Sequence, residues 1–439
     1  MRIAIVGSGI AGLASAWLLS RQHEVTLFEA NNYLGGHTHT HDIELQGRRY
    51  AIDTGFIVHN PRHYPLLTRL FDELGVASQP TTMSFSVHNE ASGLEYNAAT
   101  LDTLFCQRRN LLSPRFIGMV RDLVRFYREA PALLDTHAVG PTLGDYLAEH
   151  RYGAAFRDEH LVPMASALWS SPASQILNFP ARYLVQFMAN HQMLQVSERP
   201  EWRVVRGGSA SYVKALRARW HVHERLNTPV HAVCRDTHGI VLCTAAGSER
   251  FDQIVLACHS DQALALLADA DEREHAILGA MPYQANETVL HTDASLLPRR
   301  RKAWAAWNAF IPRTPGDNCT VSYCMNLLQN IESPEPFVVT LNRSAAIDPA
   351  KVLRRMRYHH PVYDHAAVAA QTRKREIQGR RHTWFAGAYW GWGFHEDGMR
   401  SAVEVAEALE APWFDTSASG SNTTTRSAIT TPRAVELVA

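Results

Sequence analysis

The first thirty residues predict an α/β fold, and three observations carry the prediction. Ile3 to Val6 is a short apolar run, the pattern of a strand buried on both faces. Gly7-Ser8-Gly9-Ile10-Ala11-Gly12 follows at once and leads into a helix expected from about Ile10 to Ser20. Val25 to Glu29 then forms a second strand that ends on an acid. Strand, glycine turn, helix and acidic second strand make the opening of a Rossmann-type dinucleotide domain.

Each position has a physical reason. Gly7 permits the tight turn, Gly9 lets the backbone approach a pyrophosphate, and Gly12 allows close helix packing. The helix N-terminus, with Ile10 and Ala11 in its first turn, faces the phosphate charge. Glu29, followed by Ala30, is placed to accept hydrogen bonds from a ribose diol and would repel a 2′-phosphate. Leu34-Gly35-Gly36-His37 allows a second close backbone approach, followed by a basic ring, and Asp53-Thr54-Gly55-Phe56 adds another tight turn. Far downstream, Trp384-Phe385-Ala386-Gly387 continues through an aromatic and glycine run to Phe394, His395 and Gly398, where a helix is expected to about Leu409. A helix N-terminus beside the flavin N1–C2=O edge would stabilise negative charge on the reduced ring. A plain NAD domain has no need of this third piece, so the cofactor expected is FAD.

The rest of the chain reads as alternating elements. Pro61 to Gly75 is helical, with Leu66, Leu67, Leu70, Phe71 and Leu74 on one face, and residues 100 to 195 are mostly helical. Val230 to Leu242 is strand-like, Gln253 to Cys258 is a buried strand, and residues 286 to 342 alternate in strand fashion. Residues 415 to 439 read as a disordered tail of Ser, Thr and Ala.

Composition excludes several classes. Lys+Arg and Asp+Glu are 43 each in 439 residues, which leaves no electrostatic footprint for nucleic acid. The six cysteines form no Cys-x-x-Cys, which argues against a metal or disulfide framework. No signal peptide fits the start and no run of eighteen apolar residues occurs, so a cytoplasmic protein is expected, with peripheral membrane contact left open.

These motifs resemble the FAD-dependent amine oxidase and phytoene desaturase superfamily. Asp53 to Phe56, Met83 to Val87, Ala303 to Asn308, Leu327 to Ile331 and Gly393 to Gly398 look more closely like the FAD-binding oxidases encoded beside, or in plants fused to, cyclopropane fatty acid synthases. The resemblance covers residues 1 to about 412, and the methyltransferase half is absent. It implies a discontinuous FAD domain of residues 1–80, 200–280 and 380–412, with 81–199 and 281–379 as an inserted substrate domain of mixed sheet and helix. It places Val230 at the adenine and implies non-covalent FAD, since no Cys lies in the C-terminal flavin loop. A lipid or other apolar substrate, and a cyclopropane synthase-type methyltransferase as partner, follow from the same association.

Two departures weaken amine oxidation. The strand Asn286 to His291 carries no Lys where amine oxidases usually have one near flavin N5, and Phe394 lacks the hydroxyl of an aromatic cage. Glu287, Tyr323 and His395 are the candidates for proton transfer. Trp304, Trp307, Asn308, Tyr323, Met325 and Asn326 are expected around the cavity or in the core. His37-Thr38-His39-Thr40-His41 sets three imidazoles on one strand face; His37 is given to the phosphate region and the others to solvent, so no metal is expected. His359-His360-Pro361 is expected as a loop before a helix. Ser113 to Leu134 is a basic amphipathic helix or helix pair, ordinary in a substrate domain but also suited to a membrane surface or acyl entry.

Overall fold

A computed structural model describes residues 1–414 apart from 137–138, 196–199, 315 and 317; the tail expected at 415–439 lies outside the described residues. The opening apolar run forms the strand Arg2–Val6 at the centre of a five-stranded parallel sheet. Its neighbours are Glu24–Phe28 on one side and Gln253–Leu256 on the other, with Val222–Arg225 and Thr383–Phe385 at the edges. Strands from four distant parts of the chain thus build one sheet, buried on both faces as apolar strands of this kind require. The helix Ile10–Leu19 packs beside the helix His395–Ala408 in the core over one face.

A second, seven-stranded mixed sheet carries the other half of the molecule. Its order is Val352–Pro361, Tyr283–His291, Val338–Leu341, Val321–Cys324, Trp307–Ile311, Phe85–Asn89, Leu94–Asn97. Pairing is antiparallel except between Trp307–Ile311 and Phe85–Asn89. Helices between residues 101 and 190 pack in a core that includes Val87, Tyr96, Phe116, Phe126, Phe156 and Phe187. The fold is α/β, a Rossmann-type domain joined to a mixed sheet-and-helix domain.

Three elements differ from expectation. Val230 to Leu242 is two strands, Val230–Asp236 and Gly239–Thr244, because the chain reverses at Gly239 with φ at +130°. His359-His360-Pro361 ends the strand Val352–Pro361 instead of forming a loop, and the next helix begins at His365. The final helix starts at His395, three residues before Gly398, because the left-handed Gly393 (φ +90°) already ends the loop.

Candidate functional site

The carboxyl ends of the parallel strands open into a cavity of about 1270 Å³ that runs on into the second domain. Ordinary small-molecule pockets hold roughly 300–1,000 Å³, so this one has room for a dinucleotide and a further ligand. Its nucleotide end is made largely of backbone. The helix Ile10–Leu19 starts at the extended Gly9 with no side-chain cap, which leaves its first-turn N–H groups free for an anion. A Cβ on Gly9 would meet nothing within 4 Å, whereas one on Gly36 would stand 3.0 Å from the Gly9 Cα. The two glycines back onto each other and leave a bare floor.

Gly7, Gly9, Ile10, Ala11, Glu29 and Ala30 line this end, as do Gly36, His37 and Val230. Gly12 and Gly35 do not, which corrects their assignment as binding residues. A Cβ on Gly12 would lie 1.9 Å from the Gly7 carbonyl oxygen, so Gly12 works by letting the helix close on the turn. Gly35 turns the chain behind the floor, its N–H donating to the Ser8 carbonyl at 3.0 Å. Glu29 is held by four donors: Ser8 N (3.0 Å) and Oγ (2.6 Å) on one oxygen, Asn31 N (2.9 Å) and Nδ2 (2.8 Å) on the other. Ser8 and Asn31 were missed in the sequence, although Ser8 sits inside the glycine motif.

Imidazoles crowd the middle of the cavity. His37 has ring centroids 6.2 Å from His259 and 5.4 Å from His360, and His259 lies 6.1 Å from His359. Burial, and then the neighbouring imidazoles, hold His37 and His259 down to about 4 and His360 to about 3. The buried His37 Nε2 has no hydrogen-bond partner. Bare floor, uncapped helix, fixed carboxylate and this orphaned imidazole nitrogen together fit a dinucleotide. His39 and His41 are half-buried, not solvated as expected: their rings lie 4.0 Å apart and His39 Nδ1 meets Tyr358 Oη at 3.0 Å. Among the described residues no group of three or more His, Cys, Asp or Glu is placed to hold a metal.

At the far side of the cofactor cradle, Thr54, Gly55, Gly387, Phe394 and His395 line the wall. His395 stacks on Phe56 at 3.7 Å, and its Nε2 lies 3.0 Å from Thr38 Oγ1, itself 2.5 Å from Tyr212 Oη. Burial, reinforced by His37 and His59, pushes the imidazole well below its ordinary range, so it is neutral. Two acids beside it brace the loop. Glu396 accepts from Leu66 N and Leu67 N, both at 3.0 Å, and so caps the helix Pro65–Leu74. Asp397 accepts from Trp392 N (3.0 Å) and Phe394 N (3.1 Å). Burial lifts Glu396 to about 7 and raises Asp397 as well. Asp53, lifted to about 6 by burial, accepts from Ser209 N (2.9 Å) and Oγ (2.8 Å) and ties the Thr54-Gly55 turn to the start of the helix Ala210–Arg217.

Beyond His395 the cavity turns apolar. Met83, Phe85, Leu104, Met119, Leu123 and Met164 line an arm toward the helix Pro114–Glu129, with Trp307 and Tyr323 on its sheet side. Tyr323 donates to the Ala167 carbonyl at 3.2 Å, and burial raises its phenol. Thr288 also lines the cavity, and its buried Oγ1 has no partner.

Glu287 is a correction. Its side chain is 45% exposed, bonded to Ser344 and Arg355, and points away because successive strand residues alternate faces. Trp304, Asn308, Met325 and Asn326 are not on the cavity wall either. Trp304 Nε1 donates to the Pro298 carbonyl; Asn308 bonds to Ser86, Ala305 and Ser322; Met325 is core; Asn326 holds Ile331 and Ser333.

A family model described as flavin containing amine oxidoreductase matches residues 10–290, more than half of the chain. Cyclohexylamine oxidase from Brevibacterium oxydans IH-35A superposes with a TM-score of 0.66 at 18% identity, over 93% of this chain and 99% of that one. A CLA-producing fatty acid isomerase from P. acnes superposes with a TM-score of 0.63 at 17% identity, over 94% and 99%. Both likenesses concern the fold. 1-Hydroxycarotenoid 3,4-desaturase of Flavobacterium sp. (strain P99-3) is 33% identical over 93 residues, 21% of this chain and 17% of that one. The matched stretches span 6% to 17% of the curated relatives' lengths.

Proposed function

The chain belongs to the flavin-containing amine oxidoreductases and is an FAD-dependent oxidoreductase, and on that premise we propose that it acts on a lipid or other apolar substrate. An acyl chain carrying a cyclopropane ring, a methyl branch or a double bond is the class suggested by its resemblance to oxidases found beside cyclopropane fatty acid synthases. The observation that carries the proposal is the arm. Met83, Phe85, Leu104, Met119, Leu123 and Met164 give it an uncharged wall continuous with the cofactor cradle. The two carboxylates that line the cavity are engaged elsewhere, Glu29 by Ser8 and Asn31 and Glu201 by Arg203, so an ammonium entering the arm would lose hydration with little to replace it, whereas an alkyl chain gains from burial.

When bound, FAD supplies the two-electron acceptor for a C–H bond. The protein's part is to place that bond, exclude water and handle the proton. Gly9, Gly36 and Glu29 would hold the nucleotide, and Phe394, stacked on Phe187 at 5.1 Å, lines the cavity beside it. Burial holds His395 neutral and disfavours its protonated form, so its part is to orient the substrate or relay a proton through Nε2, with Thr38 and Tyr212 in hydrogen-bonding sequence behind it. Tyr323 is occupied by the Ala167 carbonyl, and Thr288 offers an unpartnered hydroxyl for orienting a substrate. A redox-neutral isomerisation on the same residues is a second reading, favoured by the fold likeness to a fatty acid isomerase.

The test is the anaerobic absorbance spectrum of the holoprotein mixed with cyclopropane or unsaturated phospholipids and, separately, with a panel of amines. Bleaching of the oxidised flavin band by a lipid alone is the expected result. Bleaching by amines alone would overturn the lipid reading. A shift of double-bond position without bleaching would replace oxidation by isomerisation. An inert flavin in a protein that copurifies with a methyltransferase would make it a non-catalytic partner.

A further inference from the structure

Seven large hydrophobic side chains are exposed among the described residues, and six of them fall between positions 101 and 139. Leu101 is 76% exposed and Leu112 88%, with Leu111, Ile117 and Val124 also open to solvent. Such clustering is unusual on a soluble surface, where exposed apolar residues are scattered singly. Leu111 and Leu112 immediately precede the helix Pro114–Glu129, and Ile117 and Val124 are seven residues apart on one of its faces. Two of these exposed residues, Leu101 and Val124, also line the cavity. The apolar arm therefore opens to the outside between side chains that are themselves apolar and unburied.

The charge around this mouth is mostly positive. Between positions 101 and 129 there are six arginines (108, 109, 115, 121, 125, 128) against three acids, Asp102, Asp122 and Glu129; Glu129 pairs with Arg125 and Arg128, and Glu159 with Arg115. Asp102 is paired with Arg108 and Lys302, and Asp122 is buried and paired with Arg125. Beside Leu111 and Leu112 in sequence, Arg108 and Arg109 join Arg299 and Arg300 around a cleft of about 520 Å³. Glu95, the acid on that cleft, is already engaged by Arg299 N (2.7 Å) and Arg300 N (3.1 Å). Among the described residues no carboxylate pairs with the guanidinium groups of Arg109, Arg299 or Arg300. Planar, unpaired guanidiniums at the edge of an exposed leucine pair are suited to phosphate headgroups over acyl chains. No helix among the described residues is long and apolar enough to cross a membrane, so attachment would lie in the interface.

We propose that this face docks on the surface of an anionic phospholipid bilayer, with Leu111, Leu112 and Ile117 entering the acyl layer, the arginine cleft holding a headgroup phosphate, and the Leu101–Val124 mouth opening to lipid. The inference gives a route to the apolar site proposed above and rests on that reading for its purpose, not for its measurement. Docking feeds the substrate by lateral entry, so an insoluble chain reaches the arm without crossing water.

The experiment is cosedimentation of the FAD-loaded protein with vesicles of phosphatidylcholine alone or mixed with phosphatidylglycerol. The expected result is at least about tenfold stronger binding to the mixed vesicles, falling as salt is raised. L111E/L112E should lower that binding by about tenfold or more, because two charges replace two inserted side chains. R299Q/R300Q should remove most of the preference for phosphatidylglycerol, and R273E, at an exposed position of the nucleotide domain, should change nothing. An unaltered flavin spectrum in each variant shows that the fold is intact. Vesicle binding that ignores both double variants would overturn the proposal, as would no binding to either vesicle. A soluble protein that covers the patch while vesicles are ignored would overturn it in favour of a protein interface. Docking without lipid turnover would keep this inference and remove the substrate reading; turnover of detergent-dispersed lipid without docking would do the reverse.

Discussion

The two ends of one cavity are built on opposite plans. At the nucleotide end the wall is backbone from a few short segments: Gly7 to Ala11, Glu29 to Asn31, Gly36 and His37. At the apolar end it is side chain, contributed one or two residues at a time from Met83, Leu104, Met119, Met164, Trp307 and Tyr323. A backbone-cradled ligand demands particular glycines and tolerates little change. A side-chain-lined arm needs only volume and polarity, which many residue combinations supply. The first plan fixes a cofactor and the second leaves the substrate free to vary.

The sharpest break in that contrast would come from Gly12→Val. The Cβ would fall 1.9 Å from the Gly7 carbonyl oxygen, so the helix must move off the turn and the purified protein should carry no flavin absorbance. Leu104→Ala, on the arm, should keep its full flavin content. A yellow Gly12→Val protein would refute the backbone plan.

A milder probe is Glu29→Gln. It removes the charge that Ser8 and Asn31 hold in place, and a charge-assisted bond is worth about 1.5–3 kcal/mol. FAD affinity, read by titration of the quenched flavin fluorescence, should fall roughly tenfold to a hundredfold.

The imidazole cluster sharpens the comparison through pH. His37 and His259 titrate at about 4 and His360 at about 3 in the folded chain, against about 6.5 when unfolded. Between those values the unfolded chain binds protons that the folded chain refuses, so apoprotein stability should fall as pH drops from about 6.5 to about 4. A diphosphate bound against the rings would favour their protonated form and raise their folded values, so the loss should then be smaller with FAD. Thermal midpoints of the two forms across that range provide the check; parallel curves would separate the cluster from the phosphates.

The smallest effect belongs to Thr288→Val. The lost hydroxyl has no partner, so thermal stability should be unchanged or raised by up to about 1 kcal/mol, and FAD affinity should stay within about twofold. A changed KM for lipid with unchanged flavin binding would place Thr288 on the substrate side.

Most of the cofactor cradle was legible because its requirements are local. A glycine turn, a helix start and a strand-end acid lie within thirty residues, and each is demanded by geometry that neighbouring residues set. Ser8 was passed over although it stands inside that motif, since its contact with Glu29 depends on how the turn meets the second strand. His259, His359 and His360 were illegible as a cluster, because His259 heads the helix Ser260–Leu266 while His359 and His360 end a strand of the other sheet a hundred residues on, and only the tertiary fold brings them together. Glu287 shows the limit from the other side: one step along a strand separates a cavity residue, Thr288, from a solvent-facing one.

By itself the sequence determined the α/β opening, the dinucleotide cradle and the FAD it accepts, because backbone conformation at glycine and helix dipole at Gly9 are properties of adjacent residues. Only the tertiary structure decided the arm, the imidazole ring around His37 and the exposed leucines at the mouth. Those depend on which faces of distant strands and helices meet, and a face is set by packing against partners that local sequence does not name.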